Sequence, residues 1–172
     1  SPNRILLGTA QLGSNYGVFG SQETVEDAQD RVYRAYQSGF RNFDTAPAYG
    51  SAEKILGSSP LTDASIVTKT VDIPGPVGAA QMSSLISDGL RQSLESLQRE
   101  NVQALLLHQP EAFDRSMRVA LEHCRSEGLT QQIGVSVYDG AEIDRVLADW
   151  TPDVIQLPLS IVDQRLIESG HI

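Results

Sequence analysis

Positive charge is scarce in this chain: 13 Lys and Arg stand against 22 Asp and Glu, for a net charge of −9. With no basic run or stripe, the balance argues against nucleic acid and anionic membrane surfaces as partners. Cysteine is scarcer still. The only one, Cys124, permits no intrachain disulfide and suits a reducing cytoplasm. No stretch approaches about 18 apolar residues, so no membrane-spanning helix is expected. The start, Ser1-Pro2-Asn3-Arg4, is not a signal-peptide pattern; it carries no initiating Met, so the amino end is expected to be trimmed or processed. Gly8, Gly13, Gly17 and Gly20 match neither G-x-G-x-x-G nor the Walker pattern, which removes a phosphate-loop reading. Gly8 and Gly13 are expected instead to allow turns and close backbone approach. His123 and His171 have no partners at ligand spacing and read as surface residues, so no metal is expected.

What remains is an ordinary globular composition, 40% hydrophobic and 20% charged over 172 residues, read as one domain spanning 1–172. Short apolar runs alternate with helical patterns. The strand-like runs are residues 4–10, 42–46, 65–70, 102–108, 132–137 and 154–159, separated by helices of roughly 6 to 16 residues, the lengths of crossover connections. In the third helix Met82, Leu85, Ile86, Gly89, Leu90, Ser93, Leu94 and Leu97 form one stripe. The fourth carries Met117, Ala120, Leu121 and Cys124 at the same spacing, and Gly128 follows where a left-handed cap would end it. Thr24-x-x-Asp27 and Asp139-x-x-Glu142 have the form of helix-start signals.

The run Val-Gln-Ala-Leu-Leu-Leu-His is apolar nearly throughout, as expected of a parallel strand covered on both faces. Six such units in a row point to an α/β fold, either a parallel (β/α)8 barrel of the TIM type or a doubly wound sheet. The ionisable residues favour the barrel. Asp44, Lys69 and His108 sit at the carboxyl ends of consecutive runs, and Tyr49 follows the first of these. Those ends share one face, where ligands bind. A barrel needs eight strands and about 250 residues, so the chain is expected to form an incomplete barrel of about six units, lacking strands seven and eight. Its apolar edges leave self-association open.

An acid, a phenol, an ammonium and an imidazole converging on one mouth can transfer a proton to a polarised carbonyl. A free phenol, with a pKa of about 10, needs a cationic neighbour to act as an acid at neutral pH. Lys69 can supply that charge, Asp44 can fix Lys69, and His108 can orient the carbonyl. None of them delivers hydride, which calls for a nicotinamide cofactor. Taken singly, each residue also has an ordinary reading: Asp44 as a turn residue, Tyr49 as a loop aromatic, His108 as a structural imidazole. Lys69 is harder to assign so, because lysine is disfavoured in buried strands.

In these blocks the chain resembles the aldo-keto reductases. Leu7-Gly8-Thr9-Ala10-Gln11-Leu12-Gly13 is similar to that family's first strand and loop. Phe43-Asp44-Thr45-Ala46-Pro47-Ala48-Tyr49-Gly50, followed by Ala52-Glu53-Lys54-Ile55-Leu56-Gly57, resembles its D-T-A-x-x-Y-G-x-x-E-x-x-L-G signature. Val67-Thr68-Lys69, Leu107-His108 and Gln132-Ile133-Gly134-Val135-Ser136 resemble three further blocks. The resemblance implies an NADPH-dependent oxidoreductase that reduces an aldehyde or ketone. Tyr49 would be the general acid, supported by Asp44, Lys69 and His108. It implies that Ser136 and Gln156 hold the nicotinamide carboxamide, with Gly8, Thr9 and Asp44 also facing the cofactor, NADP(H). Val137 and Ser160 stand where the family has asparagines. The family's phosphate groove belongs to strands seven and eight. Pro74-Gly75-Pro76 is expected to shape one wall of the pocket. Two further readings stand beside the reductase: a cofactor-binding or regulatory barrel with little turnover, and an inactive fragment.

Overall fold

The computed structural model describes residues 5–12, 24–75, 77–108 and 113–172. Gly13, Gly17, Gly20, Pro76 and the first four residues, all used in the sequence reading, lie outside them. Strands and helices alternate: β1 (Leu6–Gly8), α1 (Val25–Gln37), β2 (Asn42–Asp44), a single 3-10 turn (Pro47–Tyr49), α2 (Ala52–Ser58), β3 (Ser65–Lys69), α3 (Ala79–Leu97), β4 (Val102–Leu107), α4 (Arg115–Ser126), β5 (Thr130–Ser136), α5 (Gly140–Asp149), β6 (Val154–Gln156) and α6 (Arg165–Glu168). All six strands are parallel, in the order β1-β2-β3-β4-β5-β6.

The sheet is curled into part of a barrel. Gln156 on β6 donates from Nε2 to Asp44 Oδ1 on β2 at 3.1 Å. Four strand spacings in a flat sheet would set those strands about 19 Å apart, beyond the reach of the two side chains. Curling yields two apolar layers. Phe43, Ile66, Leu105, Leu107, Ile133 and Val135 face the helices, while Val67, Ala104 and Leu106, with Val154 against them, fill the concave side. Gly134 is required at the tightest point: a Cβ there would lie 2.0 Å from Val154 O and 2.9 Å from Leu106 Cδ2.

The helix signals act as read. Thr24 and Asp27 form a reciprocal capping box. Asp139 Oδ1 accepts from Glu142 N, although the Glu142 carboxylate reaches Tyr138 N rather than Asp139. Gly128 adopts φ +75 after α4, with Leu129 N bonded to Cys124 O and Gly128 N to Arg125 O, a Schellman closure. In α3 the stripe is buried, Leu85 alone being half-buried.

Other expectations need correction. The strands are shorter at their carboxyl ends: β6 stops at Gln156, two residues before Pro158, which has no N–H to donate. α3 runs 19 residues, longer than the expected range. Gly8 has no positive φ, and a Cβ on it would meet nothing within 4 Å, so close approach by the protein does not explain it. His171 lies at the surface but is half-buried, and it has partners there. Its Nδ1 lies 2.7 Å from Ser169 Oγ and its Nε2 3.3 Å from Asp144 Oδ1, and its ring occupies the space a side chain at Gly140 would need. His123 is half-exposed, with Nε2 3.7 Å from Glu127. Among the described residues no helix is long and apolar enough to cross a membrane.

Candidate active site at the strand ends

Strand register determines which side chains meet. Paired residues on parallel neighbours share a face, and so do residues two apart along a strand. Gly8 pairs with Asp44, Asp44 with Val67, Lys69 with Leu106, Leu106 with Gly134, and Ser136 with Gln156. Stepping by two from Val67 to Lys69, from Leu106 to His108 and from Gly134 to Ser136 places Gly8, Asp44, Lys69, His108, Ser136 and Gln156 on the concave face. Only Thr9 has the opposite parity. Its N–H and hydroxyl both donate to the Asp44 carbonyl, at 2.9 and 2.8 Å, so it fixes the end of β2.

At the centre is a buried ion pair. Lys69 Nζ donates to Asp44 Oδ1 at 2.8 Å and to the Thr45 carbonyl at 3.0 Å, with 2% of its side chain exposed. Removing an ammonium from water this completely is tolerable only with such partners. The same nitrogen lies 5.0 Å from the centre of the Tyr49 ring. Tyr49 reaches that position through the Pro47–Tyr49 turn, which Gly50 leaves at φ +60. His108 closes the group: its ring meets Tyr49 edge-on at 6.2 Å between centroids. Its backbone N–H is held by Thr70 Oγ1 at 3.1 Å, and Nδ1 stands 4.0 Å from Asp72 Oδ1.

Asp44, Tyr49, Lys69 and His108 are thus brought together, and Gln156 joins them through Asp44. Ser136 is buried at the end of β5, beside Gln156 in register. The two departures have structural partners: Val137 is in the core, and Ser160 Oγ accepts from Val162 N and Asp163 N to close a turn. Pro74-Gly75 forms a turn, with Gly75 at φ +103. Among the described residues no group of three His, Cys, Asp or Glu could hold a metal ion.

One buried acid escaped the chemical reading. Glu53 on α2 accepts from Thr68 Oγ1 at 2.7 Å and bonds Ser93, and burial raises its carboxyl above the ordinary value of 4.5. It lies behind the sheet, since Thr68 faces opposite to Lys69. Its position on the helical face of Ala52, Ile55 and Leu56 was the available signal.

The model of the aldo/keto reductase family matches residues 4–172. An NAD(P)H-dependent 6'-deoxychalcone synthase from Glycine max is 28% identical over 165 residues, 81% of this chain and 52% of that protein. Among solved structures, aldo-keto reductase AKR11C1 from Bacillus halodurans superposes with a TM-score of 0.77 at 21% identity, over 95% of this chain and 56% of its own. A Bombyx mori aldo-keto reductase in complex with NADP gives 0.73 at 19% identity, over 97% and 59%. The chain spans about half the length of the curated relatives it matches.

Proposed function

The chain belongs to the aldo/keto reductase family, and on that premise we propose that it carries the proton-donating half of a carbonyl reductase site. The single observation behind this reading is the Lys69 ammonium, buried against Asp44 at 2.8 Å and 5.0 Å from the Tyr49 ring centre. Tyr49 gives its proton to the carbonyl oxygen of an aldehyde or ketone. Lys69 offsets the negative charge left on the phenol oxygen, and Asp44 keeps that ammonium in place. His108, edge-on to Tyr49, orients the carbonyl.

NADP(H) suits the rest of the concave face. Ser136 and Gln156 end adjacent strands with amide-recognising groups, and the Cα of Gly8 faces open space. When bound, the nicotinamide supplies the hydride that none of these side chains can. Ser136 and Gln156 would hold its carboxamide, Asp44 would bound its site beside them, and Thr9 would contribute by fixing Asp44.

The test is NADPH consumption with 4-nitrobenzaldehyde by the purified protein and its Tyr49→Phe variant. A positioned general acid contributes about 10²- to 10⁴-fold, so the variant should lose at least hundredfold. Undiminished turnover would remove Tyr49 from the reaction. NADPH binding without turnover of any aldehyde would instead support the binding-barrel reading.

A further inference from the structure

Behind the ion pair, where the sheet meets the helices, the core changes character. Phe43, Ile66 and Leu105 give that face an apolar lining. Along β3, however, Ile66 is followed at the period of two by Thr68 and then Thr70, both buried. Glu53 on α2, also buried, accepts from Thr68 Oγ1 at 2.7 Å and bonds Ser93 on α3, so one carboxyl group joins three elements. Burying such groups costs free energy that an apolar cluster of the same volume does not. A satisfied polar network offers rigidity and direction instead.

The backbone that Glu53 grips is the backbone that seats Lys69. Thr68 immediately precedes Lys69. The Val67 carbonyl, one residue further back, accepts from Thr45 N at 2.9 Å, and the Thr45 carbonyl accepts from Lys69 Nζ at 3.0 Å. On the other side of Lys69, Thr70 Oγ1 accepts from His108 N at 3.1 Å. A displacement of Thr68 therefore reaches the ammonium by two routes, along β3 and through Thr45.

Resting on the reductase reading above, we infer that Glu53 is a positioning residue for the reaction: through Thr68 it holds the end of β3 so that the Lys69 ammonium stays on Asp44 and beside Tyr49. It acts from behind the sheet, because Thr68 faces opposite to Lys69. Without this tie the strand end is free to turn, and the ammonium moves relative to the phenol it serves. A misplacement of about 1 Å is enough to cost about hundredfold in rate.

The test compares Glu53→Gln, Glu53→Leu, Thr68→Val and a combined Glu53→Leu, Thr68→Val, Ser93→Ala protein, in which apolar groups replace the network. With NADPH and 4-nitrobenzaldehyde, Glu53→Leu and Thr68→Val should lose about tenfold to hundredfold in kcat with KM unchanged. Glu53→Gln, which can still accept from Thr68, should keep most of it. The combined protein should melt no lower than wild type yet turn over as slowly as Glu53→Leu, a separation that a merely structural role does not produce. Where Glu53→Leu does not fold, Thr68→Val carries the test, since it exchanges one hydroxyl for a methyl.

A second readout needs no turnover. The chain has only two lysines, Lys54 and Lys69, and Lys54 is exposed. In protein with isotope-labelled lysine nitrogen, the buried Lys69 ammonium should give the one Nζ resonance protected from exchange with water, absent from Lys69→Met. Its exchange should quicken in Glu53→Leu and Thr68→Val and stay slow in Glu53→Gln. Undiminished kcat in the combined protein, or an unaltered Lys69 resonance in Glu53→Leu and Thr68→Val, would overturn the assignment. If wild type turns over no aldehyde, it is the reductase reading that fails, and the Lys69 resonance alone decides the role of Glu53 in the same sense.

Discussion

Asp44 and Gln156 are 112 residues apart in sequence and 3.1 Å apart in space, joined at the same Asp44 oxygen that accepts from Lys69. One carboxylate oxygen therefore collects an ammonium from the neighbouring strand and an amide from four strands away. Breaking one of its links should be felt through the others.

The ion pair gives the first expectation. Asp44→Asn leaves the Lys69 ammonium buried without a counter-charge, and Lys69→Met leaves Asp44 with Gln156 alone. Removing one partner of a buried pair costs about 3–5 kcal/mol. Asp44→Asn should lie nearer the upper end, because Lys69 is the more buried of the two, at 2% against 12% side-chain exposure. The double variant should recover part of the loss. Urea unfolding of the four proteins measures the coupling; strictly additive single effects would show that the pair contributes nothing as a pair.

Gly57 should resist replacement. In an exposed helix interior Gly→Ala stabilises by about 1 kcal/mol. Here the new Cβ would stand 2.2 Å from Ser96 O and 2.7 Å from Leu97 C, backbone atoms of α3 that cannot swing aside. Overpacking of about 1–3 kcal/mol should win. A rise in Tm for Gly57→Ala would mean α2 and α3 are not in such close contact.

Cys124 should be inert in the native protein. It is fully buried, and burial pushes its thiol up to about 11. A thiolate-directed reagent at pH 8 should modify it only as fast as the chain unfolds. Rapid labelling without denaturant would place it nearer solvent.

Glu53 should make stability decline as pH rises. Burial raises its carboxyl above 4.5, so between its unfolded and folded pKa the folded chain binds more protons than the unfolded one. The stability this adds is complete below the unfolded value and lost as pH passes the folded one. Glu53→Gln can still accept from Thr68 and does not ionise, so its unfolding midpoint should vary less with pH on the alkaline side of 4.5. Parallel curves for the two proteins would locate the ionisation elsewhere.

How far the sequence carried depended on the range of each interaction. Asp44, Lys69 and His108 were legible because ionisable groups end apolar runs, and the period of two assigns their face. Capping at Thr24 and closure at Gly128 were legible because they are local. The Asp44–Gln156 bond was not, since it exists only once the sheet curls. The packing of His171 was not legible for a related reason: the space its ring fills is created by Gly140, 31 residues earlier, where no pattern marks it. The bonds by which Thr9 fixes the end of β2 were likewise not legible, since they join residues 35 apart.

Gly134 carries no functional group, yet it governs how tightly the sheet bends. Even one methyl group at this position would force β6 off β5 and carry the Gln156 amide away from Asp44. The mouth can therefore be detuned by a change that adds only carbon and hydrogen, at a residue with no side chain of its own. A survey of inactivating substitutions should recover Gly134 alongside the ionisable residues, and the curvature of the sheet should prove as exacting a requirement as the acid it positions.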